Sequence, residues 1–445
     1  MTKIEHYRNS FISVISNENK VLWCDPWLSS ANGGLWAPSE ISIKNFLDIY
    51  NLPSLIYISH LHDDHFDLEF IKSIFHKKKF KIIIPKGDKS YEIMFRRLVS
   101  IGIPEENILK LSFYEKTNIH NFELVVLPQY NKSTSEDNSS FLIDYDIDSS
   151  LLINVDSIQI FNQNDNFYNS ENIQLIRKKL YSQNIEFKPN LSFIPYCSAS
   201  CYPQSFLDID RLSLRKDLLK RIFNDCFLEP AKTINNGIYI PSGGTYSLCN
   251  SYQFIDIYKA VPSQLELSKL VNEQNEVNKS SIFIGNEITK ENYELKMMNL
   301  KSDVHMKNKI MQSQVSFSIE SYKASFLEAS RKLDSFLNKL PLTLNLYLIS
   351  YEQLEKSLKS GISSDINKSE MIYEKKNHQS QNFLKIFLTP FCLRELINES
   401  VSWNAINFGA VFVREPNIYF PNVDLFLSLF FKVTSNCFLS ESHKN

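Results

Sequence analysis

The chain lacks the features that mark membrane proteins, secreted proteins and nucleic-acid binders. No run of about 18 apolar residues occurs, so no membrane span is predicted. Residues 1–6 show no basic stretch followed by an apolar one, and we therefore expect no signal peptide. Lysine and arginine total 48 against 50 acidic residues, a balance that argues against nucleic acid as a partner.

Cysteine is scarce and shows no paired pattern. The seven cysteines include no Cys-x-x-Cys motif, and an odd, unpaired set fits a reducing cytoplasm, where we place the protein. Cys197 and Cys201 are a candidate ligand pair, although small buried thiols are the more ordinary interpretation. The length of 445 residues and a hydrophobic content of 43% indicate two domains with a sizeable core.

Predicted strands and helices alternate through residues 1–260. Short apolar runs at 21–23 and 55–58 predict strands, whereas the spacing of apolar residues over 68–75 and 91–101 predicts helices. This alternation indicates the α/β class.

Residues 261–445 differ in character. Helical spacing over 322–340 and an apolar helical segment at 420–431 predict an α-rich C-terminal extension. Residues 361–381 are rich in serine, asparagine and lysine and are predicted to form an exposed loop.

One short segment contains the residues that indicate a chemical function. Residues 59–67 read Ser-His-Leu-His-Asp-Asp-His-Phe-Asp and follow a predicted strand directly. Side chains two residues apart in an extended chain point the same way, so His60 and His62 can bind one ion. If the chain turns at Asp63, then Asp64 and His65 reach a second ion beside the first. Imidazole and carboxylate groups are metal ligands, and the pattern therefore predicts a metal site.

The His-x-His-x-Asp-His motif after a strand resembles the metal motif of the metallo-β-lactamase superfamily. Residues 21–28, Val-Leu-Trp-Cys-Asp-Pro-Trp-Leu, resemble a segment of its lactonase-like and phospholipase-like branches. The resemblance implies an αββα metallo-β-lactamase-type sandwich over residues 1–260, followed by a helix-rich extension over 261–445. It also implies that Asp25 lies under the metal site and orients a ligating histidine. An ordinary Asp-Pro turn is the alternative for Asp25.

The same resemblance implies a further histidine, a bridging aspartate after a strand, and a final histidine. Asp165, which follows a β-rich run, is the bridging candidate, with an ordinary turn as the alternative. None of the nine histidines lies between 121 and 304, where the later ligands would fall. Three alternatives stay open: one metal only, a second metal held by oxygen or sulfur, or a contribution from His120 or from a histidine of the extension. The oxygen and sulfur candidates are Glu136, Asp137, Cys197 and Asp208.

Four further segments resemble the metallo-β-lactamase-like part of CMP-N-acetylneuraminate hydroxylases and their bacterial relatives. They are residues 157–165, 195–203, 240–246 and 401–409. Those hydroxylases also carry a Rieske iron–sulfur domain, whose paired Cys and His ligands do not occur here. The resemblance implies a small-molecule partner related to carbohydrates or nucleotide-sugars.

The motif favours a metal-dependent hydrolase in which a metal-activated water attacks an ester, lactone, amide or phosphodiester. Asp64 would ligate the metal or orient the nucleophile. Tyr196 and Tyr202 could offer hydroxyl groups to the substrate, or could simply pack. One or two Zn²⁺ ions are expected, with iron or manganese as alternatives. An iron-dependent oxidoreductase of glycan metabolism, a non-catalytic binding scaffold and, with least support, a nuclease remain alternative functions.

Overall fold

The structure is a computed structural model that describes most of the chain. The described residues are 1–7, 9–32, 36–38, 51–87, 89–130, 148–197, 201–244, 246–248, 255–298, 320–333, 343–366, 369–376, 383–397, 411–414, 427 and 429–436. The sequence pattern also predicts a helix over 41–50 and a strand over 140–145, and both segments lie outside the described residues.

The strands of the described residues are numbered in chain order. They are β1 (Thr2–His6), β2 (Ile12–Ile15), β3 (Val21–Cys24), β4 (Trp36–Pro38), β5 (Leu55–Tyr57), β6 (Lys81–Pro85), β7 (Ile108–Leu111), β8 (Lys116–Ile119), β9 (Phe122–Pro128), β10 (Ser149–Val155), β11 (Ile158–Asn162), β12 (Leu191–Pro195), β13 (Ile238–Ser242), β14 (Tyr246–Leu248), β15 (Glu287–Thr289), β16 (Tyr293–Met297), β17 (Thr343–Leu348), β18 (Glu370–Lys375), β19 (Phe383–Leu388) and β20 (Val411–Arg414).

The helices are numbered in the same way. They are α1 (Leu68–Lys77), α2 (Lys89–Ser100), α3 (Ser170–Ser182), α4 (Arg211–Ile222), α5 (Glu229–Ile234), α6 (Gln264–Glu273), α7 (Glu320–Lys332), α8 (Tyr351–Ser360) and α9 (Pro390–Ile397). A π-helix, Phe223–Leu228, joins α4 to α5, and residues 429–436 are helical. In the described part of the chain no helix is both long and apolar enough to cross a bilayer.

Two mixed sheets contain most of the strands. The eight-stranded sheet has the order β15-β16-β1-β2-β3-β5-β6-β7, and the six-stranded sheet has the order β13-β12-β11-β10-β9-β8. Strands β3, β5, β6 and β7 are parallel, as are β11, β12 and β13. Each parallel group therefore brings the carboxyl ends of its strands to one edge of its sheet.

Apolar side chains fill three interfaces and thereby define four layers. Leu22 and Tyr57 of the first sheet and Ile153 and Phe193 of the second lie in the core between the sheets. Helices α1 and α2 cover the outer face of the first sheet, and α3, α5 and α6 cover that of the second. The predicted α/β class and αββα order are confirmed.

The first sheet extends past residue 260. Strand β16 pairs in parallel with β1 at the edge of that sheet, and β15 pairs with β16. β15 is short and mostly exposed. β16 alternates the buried Tyr293 and Leu295 with Glu294 and Lys296, a strand pattern that the sequence analysis missed.

The C-terminal part contains helices, as predicted, together with a four-stranded sheet of order β18-β17-β19-β20. The loop prediction for 361–381 is wrong at β18, an edge strand in which only Ile372 and Tyr373 are buried. Pro390 begins α9, as its fixed φ allows at a first helical position. The core of this part also contains Trp27, which lies in a loop after β3, and Trp36 of β4.

Candidate metal centre

The candidate ligands come from the carboxyl ends of parallel strands. Asp25 follows β3, the His60–His65 loop follows β5, and Asp165 follows β11. Because β3 and β5 are adjacent and the second sheet faces them, segments distant in sequence meet at one edge. His60, His65 and Asp165 each offer a ligand atom, and these atoms all lie within 4.8 Å of one another.

His65 is held by Asp25 from below. Its Nδ1 lies 2.9 Å from Asp25 Oδ2, and the other side of that carboxylate accepts the Ser59 N–H at 2.8 Å. Asp25 is fully buried and has a φ of +45°, a left-handed conformation that aspartate tolerates. Donation from Nδ1 leaves the lone pair of His65 on Nε2, which faces the ligand cluster.

His60 has an equivalent partner that the sequence analysis missed. Its Nδ1 lies 3.0 Å from Asp148 Oδ1 and 2.9 Å from Ser59 Oγ. Asp148 is buried and stands directly before β10. Asp148 is the last of three aspartates at alternate positions, 144, 146 and 148, and the sequence does not single it out from the other two. Only the pairing of β10 beside β11 brings it to the site.

His62 approaches His60 from the exposed side of the loop. The distance from His60 Nε2 to His62 Nδ1 is 2.7 Å, and the two rings meet nearly edge to face. Thus the two histidines predicted to share an ion do present ring nitrogens to each other.

Asp64 is fixed from the N-terminal segment. Asn9 donates from Nδ2 to Asp64 Oδ2 at 3.2 Å, while its own Oδ1 accepts the Gly244 N–H at 2.8 Å. Asp64 Oδ2 lies 3.7 Å from His65 Nε2. Asn9 was not identified from the sequence, because a single asparagine 55 residues before its partner carries no pattern.

Asp165 closes the cluster from the second sheet. Its Oδ2 lies 3.3 Å from His65 Nε2, and its backbone N–H donates to Asp148 Oδ2 at 2.9 Å. Burial alone would raise the pKa of Asp165, but the facing histidines outweigh burial and hold this pKa well below its usual value. Burial would likewise lower the pKa of His65, and the charges of Asp165 and Asp64 raise it well above its usual value instead.

Two acidic residues of the motif serve the loop rather than the cluster. Asp63 accepts the Asn32 N–H at 3.2 Å, and burial raises its pKa. Asp67 is buried and caps α1 by accepting the Phe70 N–H at 2.9 Å. Its second oxygen accepts the N–H of Leu28 at 2.9 Å, which ties the α1 start to the loop after β3.

The donor set fits a metal ion. His65 Nε2 is buried and makes no hydrogen bond, although two carboxylates lie close to it. A buried nitrogen left without a hydrogen bond is costly. His60 Nε2 and His62 Nδ1 form a hydrogen bond of 2.7 Å in which either nitrogen can be the donor. A cation among these lone pairs would satisfy all of them, and each buried histidine already has a carboxylate on its Nδ1.

The weaker candidates for metal ligands lie away from the histidine cluster, are poor ligands, or fall outside the described residues. Asp208 accepts the Ser363 N–H of the C-terminal part, and His120 is exposed at the turn between β8 and β9. Cys197 donates its thiol to Gly243 O at 3.5 Å, and burial raises its pKa, which disfavours the thiolate that a metal needs. Glu136, Asp137 and the histidines at 305, 378 and 443 lie outside the described residues.

Tyr196 and Tyr202 flank the segment that follows β12. Tyr196 is buried in the core under the second sheet, and Tyr202 packs edge-on against Phe206. A role of either hydroxyl in substrate binding stays a prediction.

Neither a family model nor a curated protein matches the chain. Among solved structures, it is similar to the diiron β-hydroxylase CmlA from Streptomyces venezuelae, with 12% identity and a TM-score of 0.37 over 60% of this chain and 50% of that one. YhfI, a metallo-β-lactamase fold protein from Bacillus subtilis, is similar with 12% identity and a TM-score of 0.33, over 53% of this chain and 78% of that one. A metallo-β-lactamase superfamily protein from Thermotoga maritima is similar with 9% identity and a TM-score of 0.27, over 54% of this chain and 74% of that one.

The chain spans about half the length of CmlA. Since the identities and TM-scores are low, we infer no substrate or chemistry from these neighbours. The fold follows from the layers themselves. Two facing sheets, helices on both outer faces and the histidine motif at the carboxyl ends of the strands form the predicted metallo-β-lactamase-type sandwich.

Proposed function

We propose that the cluster around His60, His65 and Asp165 binds one or two divalent metal ions and that the protein is a metal-dependent hydrolase. The observation that carries the proposal is the convergence of three ligand atoms within 4.8 Å, one of them a buried nitrogen without a hydrogen bond. His62 and Asp64, which border the cluster, would complete the ligand set.

A bound divalent ion lowers the pKa of a coordinated water toward 7 and so supplies hydroxide near neutral pH. The carboxylate of Asp64 would accept a proton from that water or orient it, and Asn9 would keep the carboxylate in place. Asp25 and Asp148 would hold the two buried histidines in the tautomer that presents Nε2. The side chain of Asp165 is 38% exposed, so it would lie between the other ligands and an entering substrate.

An iron-dependent oxidoreductase is the second candidate. The observation that favours it is the composition of the cluster, in which Asp64 and Asp165 offer carboxylate oxygens beside the histidine nitrogens. Oxygen-rich ligation suits iron and manganese better than a set of imidazoles and thiolates does.

Labelled-water and oxygen-uptake measurements separate the two candidates. Protein loaded with zinc, manganese or iron(II) would be offered panels of esters, lactones and phosphodiesters in water enriched in oxygen-18. We expect turnover with zinc or manganese, incorporation of one label into the product, and no consumption of dioxygen.

Asp165→Asn provides the test variant, since the amide keeps the shape of the side chain and removes its charge. His120→Asn provides the control, because this exposed turn histidine has a φ of +53° that asparagine tolerates. Turnover lost in both variants, or retained in Asp165→Asn, contradicts the hydrolase proposal. Oxygen uptake that requires iron would replace it with the oxidoreductase.

A further inference from the structure

A cavity separate from the histidine cluster lies where the sandwich meets the C-terminal part. Its volume is about 400 Å³, and Arg211, Leu212 and Tyr258 line it on one side and Gly361 and Ile362 on the other. Two hydrogen bonds join the two walls. The Asp208 N–H donates to Gly361 O at 2.8 Å, and the Ser363 N–H donates to Asp208 Oδ1 at 2.9 Å.

Arg211 is the unusual group in this cavity. Its residue is only 5% exposed, its Nη1 donates to Gln204 O at 3.2 Å, and its guanidinium lies 3.9 Å above the ring of Tyr258. Within the described residues no carboxylate lies at ion-pair distance from it. Arg215, one turn later on α4, shows the contrast, since Glu266 accepts two hydrogen bonds from its guanidinium.

A buried guanidinium without a counter-charge is unfavourable. Burial lowers the pKa of Arg211, yet arginine remains protonated at any physiological pH, so it cannot relieve the cost by losing its proton. One carbonyl and one aromatic face leave several of its five N–H donors without an acceptor. An oxyanion in the cavity would supply both the missing charge and the missing acceptors.

Two acidic residues also border the cavity and do not fill this role. Asp208 and Asp210 are exposed, and each already accepts a backbone N–H, from Ser363 and Ser213 respectively. Water and salt screen exposed charges far more than the buried charge of Arg211. In addition, α4 begins at Arg211, so the positive end of its dipole lies beside the guanidinium.

We propose that this cavity binds the carboxylate or phosphate group of a small molecule. Arg211 would hold the anionic group, Tyr258 would keep the guanidinium plane in position, and the exposed apolar side chains of Leu212 and Ile362 would contact the remainder of the ligand. The site spans two parts of the chain, so its ligand would also link the sandwich to the C-terminal part. This binding requires no metal at the histidine cluster.

Calorimetric titration of the full chain with inorganic phosphate and with hexanoate tests the proposal. We expect one of the two probes to bind saturably at one site, and Arg211→Met to weaken that binding by at least about tenfold. Arg221→Met is the matched control, because Arg221 is an exposed residue near the other end of α4. Phosphate binding alone assigns a phosphate ligand, and hexanoate binding alone assigns a carboxylate with an apolar tail.

Three results would overturn the proposal: no saturable binding of either probe, equal binding by wild type and Arg211→Met, or equal loss in Arg221→Met. Binding that survives in Arg211→Met and disappears in His62→Ala belongs to the histidine cluster. Should Arg211→Met fail to fold by circular dichroism, the wild type crystallised with selenate decides the question. An anomalous peak at hydrogen-bond distance from Arg211 supports the site, and its absence refutes it.

Discussion

Replacing Asp25 with asparagine should weaken metal binding while leaving the fold intact. Three donors point at this fully buried carboxylate, the N–H and hydroxyl of Ser59 and Nδ1 of His65, at 2.8, 2.6 and 2.9 Å. Asparagine has the same shape and accepts the φ of +45°. It keeps one acceptor oxygen, but it presents an NH₂ group where the second oxygen stood.

The size of the effect follows from the tautomer of His65. An NH₂ group in place of Asp25 Oδ2 favours acceptance by His65 Nδ1, which moves the ring proton to Nε2 and blocks the ligand lone pair. Loss of such a carboxylate partner costs about 10- to 100-fold in metal affinity. That range corresponds to about 1.4–2.7 kcal/mol. We expect a smaller effect on the free energy of unfolding of the metal-free protein, since the Ser59 N–H keeps its acceptor.

Competition with a chromophoric zinc chelator measures the affinity, and urea unfolding measures the stability. Asp67→Asn is the matched control, because Asp67 is also a buried aspartate but accepts from Phe70, Leu28 and Ser29 and contacts no histidine. It should lower the stability and leave the zinc affinity unchanged. Wild-type zinc affinity in Asp25→Asn, or an equal loss in Asp67→Asn, would refute the assigned role of Asp25.

Three further predictions follow from named contacts. Asp148→Asn should weaken zinc binding by about tenfold in the same chelator assay, because this carboxylate orients a buried histidine. Gly244→Ala should destabilise the fold by about 2–4 kcal/mol in urea unfolding, since its φ is +70° and its new Cβ would lie 1.8 Å from Cys197 Sγ. The hydrogen-bonded guanidinium of Arg215 lowers the pKa of Glu266 from 4.5 to about 2, so this pair should stabilise the fold fully above pH 4.5 and progressively less as the pH falls toward 2.

Each of these predictions has an internal comparison. Gly102→Ala, with a φ of +92° and open space around the new Cβ, measures the backbone strain without the clash, so equal effects of the two glycine substitutions would exclude a clash. Arg215→Gln should reduce the loss of unfolding free energy that the wild type shows as the pH falls from 4.5 toward 2. Identical pH profiles of variant and wild type would exclude this contribution of the ion pair. For Asp148→Asn, unchanged zinc affinity would show that His60 needs no carboxylate partner.

The parts of the site that lie on local patterns could be predicted from the sequence. The histidine motif directly follows a strand, and the family resemblance nominated Asp25 and Asp165, each of which also follows a strand. Asp148 and Asn9 could not be found in this way, because each reaches the cluster only through sheet pairing or a long-range hydrogen bond.

The strands show the same contrast between elements with a clear local pattern and elements that depend on long-range pairing. Strands with buried apolar runs, such as β3 and β5, were predicted close to their observed bounds. Edge strand β18 is stabilised by pairing with β17 while much of its surface stays polar, and it lacks the apolar periodicity on which sequence interpretation depends. Strand β16 has this periodicity in Tyr293, Leu295 and Met297, but over five residues only.

The most direct test of a metal centre is the metal content of the full chain. Elemental mass spectrometry would be applied to wild type, His62→Ala and His120→Asn after purification without added metal, with circular dichroism to verify folding. We predict one or two transition-metal ions per chain in wild type and in His120→Asn, and a clear loss in folded His62→Ala. Wild type without metal, or His62→Ala with the same content as wild type, would contradict the account.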